Sequence, residues 1–153
     1  AGPARSGRTT ALATIGEAAA AAGARAVAVA GRRSWLDGDR DLDLSALDGR
    51  TVVLVDDADT VDDPLLERLA VDPPPGVHLA VAARADALRG LYGHWTRAAR
   101  RSRLGLLLQP HLDLDGDLLG AALPRRVDVP LVAGRGFLVV DGDARLVQVA
   151  LPS

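Results

Sequence analysis

The sequence predicts an α/β fold: a mainly parallel sheet with helices on both faces and an antiparallel hairpin near its C-terminal end. Three observations predict it. Short, continuous apolar runs alternate with helix-forming stretches, as in strands covered on both sides. The stretch "GPARSGRTT" (residues 2–10) has the spacing of a phosphate-binding loop, G-x-x-x-x-G-K-[ST], directly ahead of a helical run. Finally, "GFLVVDGDARLVQVAL" (residues 136–151) holds two apolar runs around Asp141-Gly142, a hairpin-turn dipeptide.

Each element follows in order. The loop leads into an Ala-rich helix over residues 9–22, stopped by Gly23. A phosphate loop also needs a strand before it. The sequence opens at the loop itself, so the natural protein is expected to continue upstream, with the first strand missing here. "ARAVAVAG" (24–31) reads as a strand, and residues 32–50, where Asp alternates with Leu, as loop with room for one short strand. "TVVLVDDAD" (51–59) is a strand ending in Asp56 and Asp57. "DDPLLERLA" (62–70) is a helix with Asp62 or Asp63 as cap and Pro64 in its first turn. After the break "DPPPG", "VHLAVAA" (77–83) is a buried strand. One helix is expected over about residues 86–100, across Gly90 and Gly93. "LGLLLQP" (104–110) is the next strand and "DGDLLG" (115–120) a short helical turn. No repeat or linker divides the chain, so residues 1–153 read as a single domain.

Composition narrows the function. A formal charge of −2 provides no general attraction to nucleic acid or an anionic membrane. No apolar run is long enough to span a bilayer. Without cysteine there is no disulfide and no thiolate metal site. All 18 basic residues are Arg; Lys, Asn and Met are absent, the pattern of a GC-rich genome in which Lys drifts to Arg. No lysine elsewhere can replace the one missing from the loop, where Arg8 stands.

The loop is the strongest motif. Gly2 and Gly7 permit the tight path by which backbone N–H groups surround phosphate oxygens at a helix N-terminus. Thr9 occupies the position of the hydroxyl that binds magnesium. Asp56 and Asp57, ending an apolar strand, match the acidic strand that holds magnesium through water in such enzymes. A simple glycine turn and a solvated strand end are the alternative readings of the two motifs taken singly. Asp57 stands where a Glu usually polarises the attacking water and is one methylene shorter, a misplacement costly in rate.

"GVHLAVAAR" (76–84) resembles the G-V-H-L-V-L-A-T-Q-R strand of FtsK/SpoIIIE-type ATPases. "DGDLLGAALPRR" (115–126) and "GRGFLVVDG" (134–142) are similar to that family's C-terminal part, above all in the later ATPase domains of actinobacterial type VII secretion ATPases of the EccC kind. The resemblance spans residues 2–152. It implies a RecA-like P-loop NTPase fold, assembled side by side with neighbouring ATPase domains or subunits, with ATP and Mg²⁺ between them. It further implies that Gly2, Ser6, Gly7, Arg8, Thr9 and Thr10 line the phosphate site, with Asp56 and Thr9 towards magnesium and Asp57 in the water-activating position. The family's Thr-Gln pair is here Ala83-Arg84. Arg8, Asp57 and Ala83 together point to weak or absent hydrolysis.

Other candidates carry less. Arg97, Arg100, Arg101 and Arg103 have the character of an arginine finger for a neighbour, and equally of a solvated helix end favoured by the helix dipole. His78 reads as a hydrogen-bonded strand residue, and Trp95 and Tyr92 as packing residues. The alternating carboxylates Asp113, Asp115 and Asp117 lack the spacing and closing Glu of a calcium loop. The expected function is a degenerate nucleotide-binding module, regulatory or substrate-recognising, on the cytoplasmic face of a membrane-associated secretion ATPase. The resemblance implies that such a module binds the C-terminal signal peptide of a secreted protein. The alternative is an active DNA translocase motor, against which the charge balance argues.

Overall fold

The computed structural model describes residues 1–31, 47 and 49–151. The expected loop over 32–50 lies almost wholly outside the described residues. The elements are α1 (Arg8–Ala21), β1 (Arg25–Ala30), β2 (Thr51–Asp56), α2 (Pro64–Val71), β3 (Val77–Val81), α3 (Ala85–Gly90), α4 (Thr96–Arg100), β4 (Leu104–Leu108), β5 (Arg135–Val140) and β6 (Asp143–Gln148). Two short 3₁₀ turns, Ala58–Thr60 and Asp115–Leu119, punctuate them.

The strands form two halves. β1, β2 and β3 pair in parallel in that order. β4, β5 and β6 pair antiparallel. Alternation along β2 sends its side chains to both faces. Val53 and Val55 join Leu66 and Leu69 of α2 in the main core, while Leu54 meets Leu12 of α1 on the other face. Helices therefore cover both sides of the parallel half, as the apolar runs predicted. Asp63 caps α2 by accepting the Leu65 N–H at 2.8 Å, and Pro64 fills the first helical position, where no N–H is needed. The hairpin turns at Asp141 (φ 51°) and Gly142 (φ 95°), both left-handed as a tight two-residue turn demands.

Ala1 and Gly2 stand between the halves. The carbonyl of Ala1 accepts the Leu108 N–H at 2.8 Å, and its α-amino group donates to the Leu106 carbonyl. Gly2 bridges in parallel to Arg84 on the other side, donating to Ala83 and accepting from Ala85.

The single helix expected over 86–100 is instead two short ones, α3 and α4. Gly90 and Gly93 weaken the intervening stretch, and a tertiary anchor takes it over. Both His94 Nε2 (2.9 Å) and Trp95 Nε1 (2.7 Å) bond the carbonyl of Val61, and His94 Nδ1 lies 2.9 Å from Thr96 Oγ1. A carbonyl only accepts, so Nε2 carries a proton. Trp95 packs in the core as expected, but Tyr92 is 79% exposed. His78 is exposed too, rather than held inside its strand.

Candidate functional site

The loop from Gly2 to Gly7 is shaped by contacts that only glycine permits. A Cβ on Gly2 would lie 2.5 Å from the Leu108 carbonyl oxygen. Gly7 sits at φ 94° against the backbone of Gly134, where a Cβ would come within 3.1 Å of its nitrogen. Gly134 N–H in turn donates to the Ser6 carbonyl at 2.8 Å, so the start of β5 forms the outer wall of the loop. Gly7 is the N-cap of α1, no side chain caps this end, and the first turn holds no acidic residue. The helix thus presents its N-terminal amides and positive dipole end to a cleft of about 500 Å³.

Arg8, Thr9, Thr10, Asp57 and Arg84 line that cleft, with exposed Arg5 at its rim. Thr9 Oγ1 donates to Asp56 Oδ2 at 2.8 Å, which joins the two motifs across 47 positions of sequence. Asp56 is 2% exposed and Asp57 6%. Arg8 turns back on its own loop: one guanidinium nitrogen reaches the Gly2 carbonyl and the other Asp57 Oδ1, both at 3.4 Å. Arg84 is gripped by Asp59, which accepts both its backbone N–H and its Nε–H at 3.2 Å. That hydrogen bond holds the Arg84 pKa above the ordinary guanidinium value.

Arg8, Thr9, Thr10 and Asp57 therefore meet at one cleft, with Asp56 directly behind Thr9. Gly2 lies beneath the loop as a structural residue. Ser6 is fully buried, and its hydroxyl has no hydrogen-bond partner among the described residues. Sequence reasoning gave no role to Asp59, the third carboxylate of "DDAD", or to the Gly134 wall. It read Arg84 only as an absent glutamine. The arginines of 97–103 do not converge on this cleft: Arg103 donates to the Gly120 carbonyl at 2.8 Å, and Arg97 is within 3.5 Å of the Tyr92 carbonyl. Asp115 is buried against Arg89 and the His111 N–H, and no group of residues suited to a bare metal ion occurs among the described residues.

A larger cavity, about 540 Å³, lies between β3 and β4 and is lined mainly by aliphatic side chains. It lacks the converging amides and charges of the loop cleft, which is the candidate site.

No family model matches this chain, and no curated protein matches it. Solved structures do. The cytoplasmic domain of EssC superposes with a TM-score of 0.71 at 17% identity, over 98% of this chain. EssC ATPases 2 and 3 from Geobacillus thermodenitrificans give the same TM-score, identity and coverage. The chain has the fold of EssC ATPase domains. It spans 38% and 36% of those EssC chains, so this likeness is to one part of a larger protein. This architecture has the mixed α/β layout that the apolar runs predicted and is consistent with the RecA-like fold that the resemblance implied. Among the described residues, no helix is long and apolar enough to cross a membrane.

Proposed function

We propose that this chain is a nucleotide-binding module of a type VII secretion ATPase, regulatory or substrate-recognising, whose hydrolysis is at or near background. The observation that carries this reading is the division of labour in the cleft. Thr9 and Asp56 keep the hydroxyl–carboxylate pair suited to magnesium. Arg8, in contrast, is engaged by Asp57, the residue at the water-activating position. The loop amides and the helix dipole remain suited to a phosphate chain, whereas a working site needs a free cation and a free carboxylate. ATP with Mg²⁺ fits the Thr9–Asp56 side; bound there, the metal would neutralise phosphate charge.

EssC ATPase domains belong to a multi-domain secretion protein. By that likeness, this module works beside neighbouring ATPase domains at the cytoplasmic face of a membrane-associated complex, with a secreted protein's C-terminal signal as its partner. The test is steady-state turnover with Mg²⁺-ATP alongside direct titration with ATP and ADP. Measurable nucleotide binding with turnover far below about 1 s⁻¹, the lower end of ordinary enzyme rates, is expected. Turnover at or above that rate overturns the degenerate reading.

A further inference from the structure

Besides Arg5 at the rim, two guanidinium groups line the candidate cleft, and the fold treats them in opposite ways. Arg8 opens α1 and turns both terminal nitrogens inward, to the Gly2 carbonyl and to Asp57. Arg84 follows β3 and is held at its base instead. Asp59, its side chain only 2% exposed, accepts the Arg84 backbone N–H and Nε–H at 3.2 Å each. Among the described residues, neither terminal nitrogen of Arg84 makes a hydrogen bond; the exposed Asp86 carboxylate lies 4.0 Å from Nη1.

The backbone that carries Arg84 is tied to the phosphate loop as well. Gly2 and Arg84 form a parallel bridge, in which Gly2 donates to the Ala83 carbonyl and accepts from Ala85, both at 3.4 Å. A guanidinium anchored through Nε has already lost most of its rotamer freedom, so little more is lost when a ligand binds. Its two terminal NH₂ groups form a planar fork that matches two oxygens of one phosphate group. Asp57 is among the charges that favour the Arg84 cation, which places Arg84 on the Asp57 side of the cleft.

We infer that Arg84 is the specificity-determining cation of this cleft, taking the terminal phosphate of a nucleoside triphosphate, with Asp59 as its positioning residue. The inference rests on the nucleotide reading above. The N-terminal amides of α1 suit phosphates that lie on the helix end. Arg84 stands off that end, beside Asp57, so only a phosphate chain that extends past the loop reaches its fork. The charge that the loop lacks as lysine is thereby supplied from a strand end. Arg8 then stays on Asp57 while a triphosphate is told from a diphosphate. A module with background turnover keeps one nucleotide-dependent property, the ability to report whether its ligand is ATP or ADP.

Calorimetric titration with ATP and with ADP, each with Mg²⁺, compares the unaltered chain with Arg84→Gln and Arg84→Lys. The unaltered chain is expected to bind ATP about tenfold or more tighter than ADP, the scale of one charged hydrogen bond. Arg84→Gln is expected to bring the two affinities within about twofold of each other, with ADP affinity nearly unchanged. Lys keeps a cation beside the buried Asp59 and so preserves the fold. Its single ammonium is drawn to that carboxylate and presents no second group, so Arg84→Lys is expected to lose the discrimination too. Equal weakening of ATP and ADP by these variants is what a merely structural Arg84 gives, and it overturns the inference. Full discrimination by Arg84→Lys overturns the Asp59 clamp. Equal affinities of the unaltered chain for ATP and ADP overturn the inference alone, whereas binding of neither nucleotide overturns the nucleotide reading with it.

Discussion

Replacing Asp57 by Asn tests whether the cleft is held shut by its own carboxylate. Arg8 and Asp57 Oδ1 are 3.4 Å apart, and their side chains are only 12% and 9% exposed. Two unit charges at that distance attract by about 5 kcal/mol at an effective dielectric constant near 20. Much of that is offset by desolvation, leaving about 1.5–3 kcal/mol for a charged hydrogen bond. A phosphate that needs Arg8 must break this pair and approach the carboxylate as well. Asn keeps the shape and tolerates the left-handed backbone of this position, φ 47°. Asp57→Asn is therefore expected to tighten pyrophosphate and ADP binding without magnesium by about 10- to 100-fold, at 1.4 kcal/mol per factor of ten. Calorimetric titration measures it, with circular dichroism as the check on folding. Equal or weaker binding by a folded variant refutes the idea that Asp57 competes with phosphate for Arg8.

Three further outcomes are expected. Thr9→Val removes the donor to buried Asp56 at constant shape and should cost about 1–3 kcal/mol in urea unfolding. Gly7→Ala places a Cβ at φ 94° against Gly134 and should cost about 1–3 kcal/mol while abolishing nucleotide binding, read by thermal melting and titration. A polypeptide whose free amine is at Ala1 should gain stability as pH rises from 5 to 8. In that window the unfolded amine, with a pKa near 8, binds a proton that the folded one, near 5, does not. The full effect is about 4 kcal/mol, and acetylating the amine should flatten the profile in pH-dependent denaturation.

What was legible in the sequence was what local chemistry dictates. The apolar run of β2 and the Asp63-Pro64 start of α2 needed no tertiary information, and neither did the Asp141-Gly142 turn. The loop and the acidic strand end were readable as motifs, and the structure brings Thr9 and Asp56 into contact. Long-range partners were hidden. Nothing local says that Val61, more than thirty positions upstream, captures His94 and Trp95 and so divides the expected helix. Arg84 looked like a lost glutamine until Asp59 was seen to hold it.

The wall that Gly134 builds against the phosphate loop has a consequence for biogenesis. The Ser6 carbonyl waits for Gly134, and the Thr14 hydroxyl for the Ala150 carbonyl, 136 positions later. On the ribosome, α1 and the three parallel strands emerge well before these partners exist. Closing so long a span carries a large entropic cost, and contacts of this range form slowly. A nascent chain halted short of the final hairpin would carry a loop without its Gly134 wall and a core without Phe137 and Val139. The loop thus takes its final shape late, only once the hairpin has emerged and docked against it.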